Sequence, residues 1–189
     1  MQRRRMAADG AKGSIEAMDA SFSRLKKTLI EAGPKGPFDH EAIFSDAWAI
    51  VDYAERLRKL LEGLPGLDKE TPDTASLLKA LSKATKLRHY IQHLDREINR
   101  QASSGVPAGT WGSLSWIVRL GSNEFAAVVA IRGTLAKGMS APVTRAASPE
   151  GPLGGVTLSI PDASLEISDL LDQIHRWVSD HPDLMTSTR

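Results

Sequence analysis

The chain has 189 residues and no cysteine, and its 24 lysine and arginine residues against 23 aspartate and glutamate residues give a net charge of +1 at pH 7. This composition excludes disulfides and thiolate metal sites, and the length is sufficient for a hydrophobic core without covalent cross-links. The balanced charge attracts neither nucleic acid nor an anionic membrane globally, so any such affinity requires a local patch. The longest apolar run, residues 125–131, is too short to cross a bilayer, and the N-terminal sequence lacks a signal-peptide segment. We therefore expect a cytoplasmic protein with no membrane partner.

Helical patterns occupy the first half of the chain. Residues 1–13, with their Arg3–Arg5 cluster, are expected to form a flexible basic N-terminus, and residues 14–189 a single domain. Apolar residues at steps of three and four then predict helices over about 14–32 and 40–62, the second with Asp39 as its N-cap. A third helix is predicted over about 74–102, and its apolar face consists of Leu77, Ala80, Ala84, Leu87, Ile91, Leu94 and Ile98.

The second half begins with strand-like sequence, in an inserted region over about 112–167. Residues 112–120 and 124–133 predict one hairpin, and the segments on either side of Pro161 and Asp162 predict another. Between the hairpins, residues 136–155 are expected to form a mobile loop. A closing helix is predicted over about 168–180, with Ser168 as a possible cap. The predicted fold is mainly α (α+β), with a small antiparallel sheet inserted between helices 3 and 4 of a four-helix bundle.

The third predicted helix carries an unusual density of titratable side chains. At 100° per residue they share one continuous arc beside the apolar face. A solvated helix face is the ordinary interpretation of such an arc. The residues of the arc are Arg88, His89, Gln92, His93, Asp95 and Arg96.

Two chemical interpretations compete with a solvated face. His89 and His93 have the spacing at which two helical histidines bind one metal ion, as in a metal-dependent hydrolase, although Tyr90 stands where such enzymes usually place a glutamate. Alternatively, an arginine and a histidine of this arc form a pair of the kind that can cleave a phosphodiester without a metal. The arginine would stabilise the phosphate charge, and the histidine would transfer protons.

Two further patterns have ordinary structural interpretations. Asp52 and Arg56, four residues apart on the second helix, predict an intrahelical ion pair. The four tryptophans, at positions 48, 111, 116 and 177, are expected to be buried in the core.

The stretch RHYIQH, residues 88–93, resembles the signature of the HEPN superfamily of helical RNases, in which an arginine precedes a histidine by a few residues. The wider phrase LRHYIQHLDREI is similar to that of bacterial HEPN-like proteins, and the likeness is strongest over residues 39–100. By this resemblance Arg88 takes the place of the family arginine, His89 that of its polar neighbour and His93 that of the catalytic histidine.

The resemblance implies a HEPN-like bundle and a metal-independent endoribonuclease, or an RNase-derived effector of the toxin or defence type. RNA would be its partner, no cofactor would be needed, and the enzyme would act as a homodimer, with an antitoxin as a further possible partner. His89, Gln92, Asp95 and Arg96 would then contact the substrate. Some HEPN toxins carry an adenylylated tyrosine where this chain has Asp95, so that form of regulation is not expected. The alternative is a catalytically inactive HEPN-like module that binds RNA, a nucleotide or a protein.

Overall fold

The computed structural model describes residues 2–34, 36–104, 110–122, 124–132 and 152–182. Within these ranges the chain is mainly helical and carries one small antiparallel sheet, which confirms the predicted α+β class. The elements are α1 (Gln2–Ala32), α2 (His40–Glu62), α3 (Pro72–Gln92), α4 (Leu94–Ser104), β1 (Ser113–Arg119), β2 (Phe125–Ile131), β3 (Leu153–Ile160), β4 (Ala163–Glu166) and α5 (Ile167–Asp180).

One hydrophobic core joins the helices to the sheet. Helix α2 packs between α1 and α3, while α5 contacts both α1 and α3. The sheet lies against this layer, because β4 contacts α3 and β3 contacts α5. Leu25, Ile50, Leu81 and Ile174, from these four helices, are fully buried. The apolar faces that the sequence predicted for α1, α2, α3 and α5 thus meet one another.

The four strands are antiparallel in the order β2-β1-β3-β4, so both predicted hairpins are confirmed. Strand β3 begins at Leu153, which shortens the loop predicted over 136–155, and residues 133–151 lie outside the described ranges. Gly112 precedes β1 with φ +81°, and a Cβ at this position would lie 2.5 Å from the carbonyl oxygen of Ser159. Only glycine allows β1 to start this close to β3.

Helix α1 begins at Gln2 and not at about residue 14, so residues 2–13, expected to be a flexible N-terminus, extend the first predicted helix. This segment has no wide apolar stripe, but its small residues allow the backbone to approach α2. Ala7 and Ala11 pack against the core, and a Cβ on Gly10 would lie 3.2 Å from Leu60. Alanine and arginine are also strong helix formers.

The third predicted helix is interrupted at His93, and this corrects the continuous helix predicted over 74–102. The His93 N–H donates to the carbonyls of His89 and Tyr90 at the end of α3. Its own carbonyl accepts from the N–H groups of Arg96 and Glu97 at the start of α4. One residue thus ends one helix and begins the next.

Beyond this interruption α4 leaves the apolar face of α3. Ile98, which was expected on that face, is 44% exposed. Farther along, Arg100 donates to Asp162 in the turn between β3 and β4 at 3.0 Å, so α4 is connected to the sheet.

The predicted starts of two helices can be compared with the structure. Asp39 caps α2, since its Oδ1 accepts from the N–H of Ala42 at 3.0 Å, as predicted. Ser168 is not the cap of α5, because Glu166 accepts from the N–H groups of Ser168 and Asp169. Among the described residues, no helix has the length and apolar character needed to cross a membrane.

Candidate functional site

Helices α2 and α3 are joined by a short connection and pack together, and this brings Asp52 next to Arg88. The Nε of Arg88 donates to Oδ1 of Asp52 at 2.8 Å, with side chains that are 24% and 48% exposed. The ion pair predicted between Asp52 and Arg56 is therefore replaced by a pair between helices. Arg56 instead lies over the ring of Tyr53, 5.2 Å from its centroid.

His89 and His93 contact each other at the end of α3. Their ring centroids are 4.4 Å apart, with 57° between the ring planes. His89 is exposed and His93 is half-buried. The described hydrogen bonds and ion pairs connect Arg88 to Asp52 and do not link it to His93. The structure thus gives the two proposed catalytic side chains different partners.

The histidine pair does not extend to a larger metal-binding cluster in the described part of the chain. There, no group of three or more histidine, cysteine, aspartate or glutamate side chains could hold a metal ion. Zinc sites in proteins use at least three protein ligands.

The remaining predicted substrate contacts are exposed. Gln92 is the last residue of α3, whereas Asp95 and Arg96 lie in the first turn of α4. The single-helix projection does not hold for Asp95 and Arg96, because the helix is interrupted at His93. Their positions relative to Arg88 are accordingly not those that the sequence predicted.

A groove of about 440 Å³ opens beside the Asp52–Arg88 pair. Asp52 lines it together with Trp48 from α2, Ile91 from α3, Trp111 before β1 and Arg132 after β2. We refer to it as the tryptophan groove. Its volume lies within the range of small-molecule sites in proteins.

The tryptophan groove is the feature that sequence analysis missed. The prediction of buried tryptophans is confirmed for Trp116 and Trp177, which are 1% and 3% exposed. It is confirmed only in part for Trp48 and Trp111, which pack against the core but are half-buried. One signal was present, because Trp48 stands four residues before Asp52 and therefore on the same face of α2.

One helical turn from the Asp52–Arg88 pair, Glu55 forms a closed polar cluster. Its side chain is 3% exposed and accepts hydrogen bonds from Arg58 and from the hydroxyl of Thr85 at 2.7 Å, and Lys59 Nζ lies 3.4 Å away. The hydrogen bond from Arg58 is the main cause that lowers the pKa of Glu55 to about 2. This carboxylate is satisfied within the protein.

A second charged surface lies on the other side of α3. Lys79, Lys83 and Lys86 are exposed and, with Asp162 and Ser164, line a groove of about 360 Å³ beside β4. At 100° per residue, these lysines point away from Arg88. They form a basic surface that is separate from the tryptophan groove.

Arg88 offers a partly exposed guanidinium, which suits a phosphate group, and the groove lined by its partner Asp52 offers an aromatic wall, which suits a planar ring. The histidine pair lies at the end of α3. No family model, curated protein or solved structure matches this chain.

Proposed function

We propose that the protein is a metal-independent endoribonuclease of the HEPN type, or an effector derived from one, with Arg88 as phosphate clamp and His93 as the proton-transfer residue. The observation that carries the proposal is the hydrogen bonding and exposure of the Arg88 guanidinium. Asp52 holds its Nε, so the terminal nitrogens with their four further N–H donors can face a phosphate. The Arg88 side chain is 24% exposed, and its partner Asp52 lines the tryptophan groove.

The reaction needs no metal or redox partner. His93 removes the proton of a ribose 2′-hydroxyl, whose oxygen attacks the adjacent phosphorus. The bond from phosphorus to the 5′-oxygen breaks, and this oxygen takes a proton from water as it leaves, while His93 returns its proton to solvent. The products are a 2′,3′-cyclic phosphate and a 5′-hydroxyl. Arg88 stabilises the charge that develops on the phosphate oxygens, which is where enzymes gain much of their rate.

The contacts of Arg88 and His93 are consistent with a site that takes its active arrangement only when the substrate binds. Arg88 is paired with Asp52 and the ring of His93 contacts that of His89, so an entering phosphate competes with Asp52 for the guanidinium. The HEPN resemblance suggests a homodimer in which two motif helices meet, which would place the Arg88 of one chain near the His93 of the other. An antitoxin and a role in toxin or defence systems belong to the same proposal.

The experiment is cleavage of mixed cellular RNA by the purified protein in excess EDTA. The wild type is compared with Arg88→Ala and His93→Ala, and with the controls Arg56→Ala and His175→Ala, which change the same residue types elsewhere. We expect cleavage by the wild type and both controls, and a loss of about 100-fold or more in the two motif variants. Cleavage that the motif variants retain would contradict the assigned roles.

A catalytically inactive module that binds RNA is the second candidate function. It is favoured by the same two contacts, because Asp52 already neutralises Arg88 and His93 is engaged by His89. Under this candidate a folded wild-type protein binds RNA without cutting it, and Arg88→Ala lowers its affinity. The cleavage assay together with a binding assay therefore separates the two candidates.

A further inference from the structure

The tryptophan groove combines a fixed aromatic wall with a guanidinium. The indole N–H of Trp48 donates to the carbonyl of Trp111 at 3.3 Å, and the Trp111 N–H donates to the carbonyl of Arg132 at 3.1 Å. The guanidinium of Arg132 lies over the Trp111 ring, 5.2 Å from its centroid. These contacts connect α2 to both strands of the first hairpin. The wall is therefore built before any ligand arrives, which limits the entropy cost of binding.

The charges around this wall are divided. Arg132 lies on the side of the sheet, whereas Glu41 and Asp52 lie on α2, and Asp52 is bonded to Arg88. Carboxylates disfavour a phosphate but accept hydrogen bonds from the amino groups of bases. Guanidinium groups bind phosphate. This distribution matches a nucleotide whose planar base faces the indoles and whose phosphate faces an arginine.

We propose that the tryptophan groove binds one nucleobase of single-stranded RNA and thereby positions the neighbouring phosphate at Arg88. This inference rests on the proposed RNA-directed function and names the part of the substrate that the site recognises. Trp48 supplies the stacking surface, and Arg132 holds Trp111 in place and contributes positive charge. Stacking on aromatic side chains accepts any base, so the groove selects unpaired RNA rather than a sequence.

The test compares two short 2′-O-methyl oligoribonucleotides that cannot be cleaved, one with bases and one abasic, by fluorescence anisotropy. The wild type should bind the base-bearing strand about tenfold more tightly than the abasic strand. Trp48→Leu should lose this preference and keep the affinity for the abasic strand. Arg132→Gln should lose the preference and also bind the abasic strand less tightly, because it removes a positive charge. Trp48→Phe, which keeps an aromatic ring, should retain most of the preference for the base-bearing strand.

The chain offers a matched control for Arg132. Arg119 lies over the Phe125 ring at the opposite end of the same hairpin, also 5.2 Å from the centroid. Arg119→Gln removes an equivalent contact outside the groove and should leave the preference for bases unchanged. Thermal unfolding of each variant shows whether it is folded.

Three results would overturn the proposal: equal binding of both strands by the wild type, an intact preference in Trp48→Leu, or no binding of either strand. Failure of the nuclease proposal looks different, because base-dependent binding would then persist without cleavage of natural RNA. Conversely, cleavage of RNA together with a preference for bases that Trp48→Leu retains would reject only the proposed role of the tryptophan groove.

Discussion

Two neighbouring turns of the α2–α3 interface each place an acidic residue of α2 against a polar residue of α3, yet they differ in access to solvent. Glu55 is 3% exposed and bonds to Thr85 and Arg58, whereas Asp52 is 48% exposed and bonds to Arg88. The two contacts are three residues apart on both helices. The difference shows that one alignment of two helices can supply both a structural ion cluster and an arginine that is accessible to a ligand.

We refer to the turn that contains Glu55 as the closed turn and to the turn that contains Asp52 and Arg88 as the open turn. The largest effect on stability is expected at the closed turn. Glu55→Gln removes the buried negative charge that pairs with Arg58 and Lys59 and leaves Arg58 with Glu62 as its partner, and breaking a buried ion pair from one side is costly. We expect a loss of about 3 kcal/mol in the free energy of unfolding, measured by urea denaturation. Asp52→Asn should lose less than about 1 kcal/mol, because its pair is exposed. Similar losses in both variants would remove the distinction between the two turns.

Acid unfolding gives a second comparison. The pKa of Glu55 is lowered to about 2 in the folded protein, so its contribution to stability is present above its unfolded pKa of 4.5 and disappears as the pH falls toward 2. Between pH 6 and pH 3, the wild type should lose about 2 kcal/mol that Glu55→Gln does not lose. Unfolding curves at several pH values test this. Parallel pH profiles for the two proteins would refute the assignment.

These expectations depend on contacts that the sequence could indicate only in part. The spacing of apolar residues predicted α2 over 40–62, and Asp39 was correctly placed as its cap, because both are local properties. The two hairpins followed from local turn and strand signals. The pairing of Asp52 with Arg88 depends on how two helices align, and no local pattern fixes that alignment.

The interruption at His93 was equally hard to predict. The sequence around it has neither proline nor glycine, and Leu94 and Ile98 continue the apolar spacing of α3. The direction of α4 instead involves a distant contact between Arg100 and Asp162. The N-terminal part of α1 was missed for a related reason, since Gly10 is recognisable as a packing residue only when Leu60 lies against it.

A smaller change probes the closed turn from α3. Thr85→Val keeps the shape of the side chain but removes the hydroxyl that donates to Glu55 at 2.7 Å. We expect a loss of about 1 kcal/mol in stability and no change in RNA affinity. Denaturation and anisotropy with the same protein sample measure both. A loss of RNA binding here would show that the closed turn also takes part in function.

The smallest effect is expected at the open turn. Asp52→Asn removes the carboxylate that competes with phosphate, so RNA affinity should rise about threefold and the logarithm of affinity should fall more steeply with salt, by about one unit of slope. The control is Asp46→Asn, because Asp46 also belongs to α2 and binds Arg24 of α1 at 2.7 Å. This control should leave RNA affinity unchanged. An equal gain in RNA affinity in both variants would show that the effect comes only from the change in net charge.

The central claim is that Arg88 and His93 cleave RNA without a metal. The most direct measurement identifies the 3′ ends of the fragments that the wild-type protein makes from RNA in excess EDTA, beside the same reaction with His93→Ala. We predict 2′,3′-cyclic phosphate ends in the wild-type reaction and no fragments with the variant. Fragments with 3′-hydroxyl ends, cleavage that EDTA abolishes, or an intact RNA pool with a folded protein would contradict the claim.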